Sequence, residues 1–236
     1  MTGPRAVIDL HCHTNASFDS LASPAAMVRA AAARGLTHLA ITDHDGIDGA
    51  LRARDAAPAG LAVIVGEEVR TQEGDLICVF LERPIPSGSP VLEAIAAARD
   101  QGALVGIPHP FDRYRASLLL DPHLEDLAER VDWLESWNAR LLGRGGNEQA
   151  ATFARLHGLP GVAVSDAHSV LEVGVARSVL NGDPSTSAGL RDALQSVAHS
   201  FADEPGVVRA PSPIARLIER ARSAIGSAAD RTDPER

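Results

Sequence analysis

Lysine is absent from this chain of 236 residues, so all 22 of its basic side chains are arginines. That absence excludes Schiff-base chemistry and the phosphate-binding loop that depends on a lysine. Any phosphate must be held by arginine, backbone or metal. Cysteine is scarce as well. Cys12 and Cys78 are the only two, too few for a disulfide scaffold, and with no secretory leader at the N-terminus they predict a reduced, cytoplasmic protein. No apolar run is long and charge-free enough to span a bilayer. Aromatic residues make up 3% of the chain, which leaves the core to Ala, Leu, Val and Ile and gives long single-stranded nucleic acids no stacking platform. The formal net charge of -9, without a basic cluster, argues against duplex DNA or an anionic membrane held by charge alone.

What the chain does have is a repeated local pattern, a short aliphatic run closed by a histidine or a carboxylate. Ala6 to Leu10 reads as a strand, and Ser23 caps a helix that starts at Pro24 and is closed by Gly35. Further strands are expected at His38–Thr42, Leu61–Val65, Ala103–Ile107, Val131–Ser136 and Val162–Val164. Val69–Leu81 reads as a hairpin turning at Glu73-Gly74-Asp75. Helices are expected over Ile47–Ala56, Val91–Gln101, Asn147–His157, Ala188–Ala198 and Pro213–Ile225, with a polar, frayed tail from Ser227. Strands alternating with helices predict a parallel sheet, and a chain of this length suits a single α/β barrel.

The polar closers carry the chemistry. They are His11 and His13 in DLHCHT, Asp43-His44 in ITDHD, Glu67 in VGEE, His109 in IPHP, and Asp166 with His168 in VSDAH. Each follows its strand, at the sheet edge where barrel enzymes assemble their sites from several βα loops. His11 and His13, spaced i, i+2 on extended backbone, face the same way and suit one metal ion. Cys12 between them faces the core. His38, His123, His157 and His199 lack carboxylate company and read as structural.

Taken in order, DLHCHTNASFD, ITDHD, GEE, IPHP and SDAH resemble the motifs of the PHP family, named for polymerase and histidinol phosphatase, over roughly residues 7 to 170. The resemblance implies an α/β fold, a distorted (β/α)7 barrel of the PHP type over residues 1–226, with two or three divalent metal ions (Mn²⁺, Zn²⁺ or Fe²⁺) above the strands. Carried over residue by residue, it implies that His11, His13, Glu67 and Asp166 hold one metal. Glu67 would bridge to a second that His109 also binds, and Asp19, His44 and His168 would hold a third. Relatives often carry histidine at the position of Asp19, and a carboxylate there tilts the site toward harder ions. They also often carry a histidine in the hairpin. Here Asp75 stands as either a ligand or an ordinary turn residue. Asp43 and Asp45 read as partners that orient imidazoles.

The chemistry expected of such a cluster is phosphoester hydrolysis by attack of a metal-bound hydroxide, with Glu67 coupling the metals and His109 or His168 placed to protonate the leaving alkoxide. Arg113 and Arg115 are candidates for a second phosphate, against an ordinary solvated loop, and Asn138 for hydrogen-bonding substrate or orienting a ligand. The expected substrate is a small phosphorylated metabolite, a nucleotide or a short oligonucleotide end. The alternatives are a 5′ to 3′ exonuclease on short RNA or DNA and a non-catalytic accessory module. Neither substrate identity nor oligomeric state is legible.

Overall fold

The structure is a computed structural model and describes residues 5–120, 122–141 and 145–201. Its strands are β1 (Arg5–Asp9), β2 (His38–Ile41), β3 (Ala62–Arg70), β4 (Asp75–Val79), β5 (Leu104–Ile107), β6 (Trp133–Asn138), β7 (Gly161–Val164), β8 (Ala176–Asn181) and β9 (Ala198–Phe201). They form one nine-stranded sheet in the order β7-β6-β5-β4-β3-β2-β1-β8-β9. The helices are α1 (Pro24–Ala33), α2 (Asp48–Asp55), α3 (Val91–Arg99), α4 (Gly145–His157) and α5 (Ser187–Leu194).

The sheet curls into a nearly closed barrel. Along β1 and β3 the even-numbered residues Ala6, Ile8 and Ile64 point to an inner cluster that also holds Ile77, Leu104, Trp133, Val162 and Leu180. The odd-numbered Val7, Val63 and Val65 pack outward with Met27, Val28 and Ala31 of α1. Alternation by two is the geometry of extended backbone, and a sheet buried on both faces needs apolar residues at both parities. Trp133 fills the barrel beside Gly106, where a Cβ would come within 2.2 Å of the indole Cε2. The remaining gap is bridged by Ser178 of β8, whose Oγ accepts from Ala163 N at 2.9 Å and donates to Ala163 O at 3.1 Å. Leu190, Ala193 and Leu194 of α5 join the inner cluster.

The start of α1 is as the sequence predicts. Ser23 Oγ accepts from Ala26 N at 3.3 Å, and Gly35 follows the helix at φ +75°. Three expectations need correction. The sheet is mixed, because β3–β4, β4–β5, β1–β8 and β8–β9 pair antiparallel while β1–β2, β2–β3, β5–β6 and β6–β7 pair parallel. Residues 61–70, read as two segments, form essentially one strand, since Gly66 lies against the backbone of β4 without breaking the ladder. The helix expected to reach Ala198 ends at Leu194, and β8 and β9, which the sequence reading omits, form an antiparallel hairpin on β1. The expected helix at Pro213–Ile225 and the tail from Ser227 lie outside the described residues.

Candidate metal centre

Strands β3 and β4 and the loops leaving the other strand ends bring nine ionisable residues together. His11 and His13 follow β1, and His13 N donates to Ala167 O at 2.8 Å, which ties the loop after β1 to the loop after β7. His44 follows β2 and forms a parallel bridge with Glu68. His109 follows β5, and Asp166 and His168 follow β7. His109 and Asp166 both adopt left-handed backbone, at φ 29° and 53°. Non-glycine residues hold that conformation only where the surroundings impose it, and such strain gathers at functional sites.

The carboxylate at the centre is Glu68, which corrects the expectation for Glu67. Glu68 Oε2 lies 3.2 Å from His11 Nε2, 3.3 Å from His13 Nε2 and 3.4 Å from His44 Nδ1, while Oε1 lies 3.0 Å from His109 Nε2. Glu67 is one residue earlier and therefore on the outer face, opposite Cys78, where its Oε2 accepts from Ile85 N at 2.9 Å. Asp75 shares the inner face, and Glu68, Asp75 and His109 offer ligand atoms within 4.8 Å of one another. The same holds for His11, His13 and Asp166, and for His13, Asp19, His44 and His168. His13 thus belongs to two groups, one of them the group expected to consist of Asp19, His44 and His168 alone.

The donor set fits divalent metal. His11 Nδ1 lies 2.6 Å from Glu135 Oε1. A carboxylate only accepts, so Nδ1 carries the hydrogen and Nε2 keeps its lone pair for the centre. The Nε2 atoms of His11 and His13 stand 2.9 Å apart, each 3.7 Å from Asp166 Oδ1. That Oδ1 is buried without a hydrogen-bond partner, as is Asp19 Oδ1. Buried carboxylate oxygens facing imidazole lone pairs are costly unless a cation joins them. Burial, assisted by the neighbouring His168, drives the His13 pKa down to about 3, which favours the neutral, ligating ring. Burial also presses on His44, but Glu68 and Asp19 outweigh it and lift its pKa to about 9.

A supporting shell holds these groups in place. Glu135, which the sequence reading missed, also accepts from His109 N at 2.8 Å through Oε2. Its signal was parity, because it stands two residues after the inward Trp133. Ser117 Oγ donates to His109 O at 2.6 Å, and Glu172 Oε2 accepts from His168 N at 2.9 Å. Asp43 accepts from Thr14 and from Ser17 Oγ, whose hydroxyl lies 3.2 Å from His13 Nδ1. Asp45 does not orient an imidazole and accepts from Arg70 N instead. Asn138, expected to meet substrate or to orient a ligand, does the second: its Nδ2 donates to Glu135 Oε2 at 2.8 Å and to Asp166 Oδ2 at 3.0 Å. Arg115 is committed to the protein, through Nε to Asp112 and Nη1 to Asp166. Arg113 is exposed. It lines a groove of about 780 Å³ with Phe111, Tyr114, Leu141, Phe153 and Leu156, between the loop after His109 and α4.

Comparison with known proteins agrees with this geometry. The PHP domain profile matches residues 9–131 and the PHP-associated profile residues 144–197. An uncharacterised protein of Methanocaldococcus jannaschii is 33% identical over 72% of this chain and 68% of its own length. A 5′-3′ exoribonuclease of Haemophilus influenzae is 34% identical, over 46% of this chain but only 44% of the relative. Among solved structures, a two-domain protein from Bacteroides vulgatus, described as containing a predicted PHP-like metal-dependent phosphoesterase, superposes with a TM-score of 0.71 at 20% identity. That match covers 84% of this chain and 65% of the other. With the profile spanning more than half of its residues, this chain belongs to the PHP family.

Proposed function

We propose that this protein is a metal-dependent hydrolase of phosphoester bonds, acting on a small phosphorylated metabolite or nucleotide. The observation that carries the reading is the position of Glu68, one carboxylate shared by nitrogens of His11, His13, His44 and His109. Two or three Mn²⁺, Zn²⁺ or Fe²⁺ ions held by the three ligand groups would supply Lewis-acid charge to a phosphoryl oxygen and make nearby water acidic near neutral pH. His11, His13 and Asp166 serve one ion, Glu68, Asp75 and His109 a second, and Asp19, His44 and His168, with His13, a third.

The chain's own residues divide the remaining work. Side chains of His44, Asp19 and His168 are 15%, 17% and 7% exposed, against 1% for His109. This side of the site is the more open to solvent, from which a leaving oxygen can take its proton while His168 holds metal. The groove lined by Phe111, Tyr114 and Phe153 has the size of a small-molecule site and lies next to the loop from His109. It suits a leaving group as large as a nucleoside.

Exonucleolytic action on short RNA or DNA ends is a second reading, favoured by the Haemophilus influenzae relative. A net charge of -9 and the lack of lysine weigh against tracking a long strand. A complete ligand set weighs against a non-catalytic module. The test is release of phosphate from a panel of nucleoside mono- and bisphosphates, sugar phosphates and a labelled oligonucleotide by metal-loaded protein. Turnover of the small esters with at most slow trimming of the oligonucleotide is expected. Metal binding with no hydrolysis of any substrate would overturn the assignment.

A further inference from the structure

Three arginines follow β5 and β6, and the structure gives them different tasks. Arg113 is exposed on the groove wall. Arg115 has each of its nitrogens on a protein acceptor, with Nε on Asp112, Nη1 on Asp166 and Nη2 3.5 Å from Asn138 Oδ1. Arg140 is different. Its Nη1 is buried and has no hydrogen-bond partner, although its backbone N donates to Asn138 Oδ1 at 2.9 Å, and the same Asn138 side chain donates to Asp166. The Arg140 backbone is therefore locked to the metal centre while part of its guanidinium stays unsatisfied.

A buried N–H of a permanent cation without an acceptor is unfavourable, and the fork geometry of guanidinium matches a tetrahedral oxyanion. Its charge is felt at the site, since Arg140, after Arg115 and His11, helps hold the Asp166 carboxyl below its usual range. Arg115 has an acceptor for each nitrogen, whereas Arg140 keeps a buried guanidinium nitrogen with none.

We infer that Arg140 binds the phosphoryl group of the substrate over the metal centre, its unpartnered Nη1 donating to a phosphate oxygen. This rests on the phosphoesterase reading for its context, but the binding event is measurable without turnover. Inorganic phosphate, as product and substrate fragment, is the probe.

Metal-loaded wild type, Arg140→Gln, Arg140→Lys and Arg29→Gln are titrated with inorganic phosphate by calorimetry, and metal content is measured on each. Arg29 lies exposed on α1, so its variant removes one charge far from the ligands. The expected result is a phosphate Kd weakened at least tenfold in Arg140→Gln, less in Arg140→Lys and unchanged in Arg29→Gln, with equal metal content throughout. Wild-type phosphate affinity in Arg140→Gln overturns the inference. So does loss of metal in Arg140→Gln, which would mean that Arg140 acts only through Asp166. Should Arg140→Gln fail to fold, Arg140→Lys decides alone: a Kd unchanged from wild type overturns the inference. Phosphate binding that needs Arg140 in a protein that hydrolyses nothing would sink the proposed reaction and leave this inference standing.

Discussion

The two faces of β3 carry adjacent glutamates with opposite fates. Glu68 points into the mouth of the barrel, where four imidazole nitrogens surround it and, against the upward push of burial, the neighbouring His44 and His11 hold its carboxyl well below the usual range. Glu67 points outward, opposite Cys78. Burial there raises its pKa to about 7, only Ile85 N answers it, and its Oε1 has no partner. The same side chain in the same strand thus meets four imidazole nitrogens on one face and is a buried acid with a single hydrogen-bond partner on the other. A metal centre is made by converging partners, and residue type alone does not make it.

The sharpest way to break this contrast is to neutralise each carboxylate. Glu68→Gln is expected to lower kcat/KM for the best phosphoester by about 100-fold or more, since removing a shared ligand should exceed the 10- to 100-fold typical of supporting residues. Glu67→Gln should stay within about threefold of wild type. Next in size is Glu135→Ala, which frees His11 Nδ1 and His109 N at once. Metal affinity, measured by competition with a chelator, should fall by about 10- to 100-fold. Asp75→Asn tests the inner face of β4. It should lower the bound metal by one equivalent on elemental analysis while His11, His13 and Asp166 keep theirs, and full retention would make Asp75 a turn residue only.

The smallest effect belongs to the outer face and concerns pH. Glu67 has a folded pKa of about 7 against an ordinary 4.5. Between those values the folded chain binds more protons than the unfolded one, so this residue's contribution to stability falls as pH rises from 4.5 and is fully adverse above 7. Glu67→Gln, which keeps an acceptor for Ile85 N, is expected to raise Tm by a few degrees at pH 8 and to leave it nearly unchanged at pH 4.5. A Tm lowered at pH 8 would show that the ionised carboxylate is tolerated there.

Much of the site was legible because its histidines are spaced by strand ends. His11, His13, His44, His109 and His168 each stop an aliphatic run, and the loops bring all five together. Glu67 and Glu68 were not separable by pattern. Val63, Ile64 and Val65 are apolar at both parities because β3 is covered on both sides, so the sequence offers no phase from which to read an inner face. The phase comes from pairing with β4, where Ile77 faces Glu68 and Cys78 faces Glu67. β8 escaped notice because ARSVLN follows the loop after His168 and enters antiparallel without a helix before it. Arg115 was singled out for phosphate from its chemistry, and an ion pair turned it to Asp166 instead, whereas the ligand-orienting reading of Asn138 agrees with its bond to Asp166.

The most direct test of the central claim is metal stoichiometry, by elemental analysis, of wild type, Glu67→Gln and Glu68→Gln purified side by side. The account predicts two or three equivalents in wild type and in Glu67→Gln and at least one fewer in Glu68→Gln. Full metal in Glu68→Gln together with loss in Glu67→Gln would contradict it.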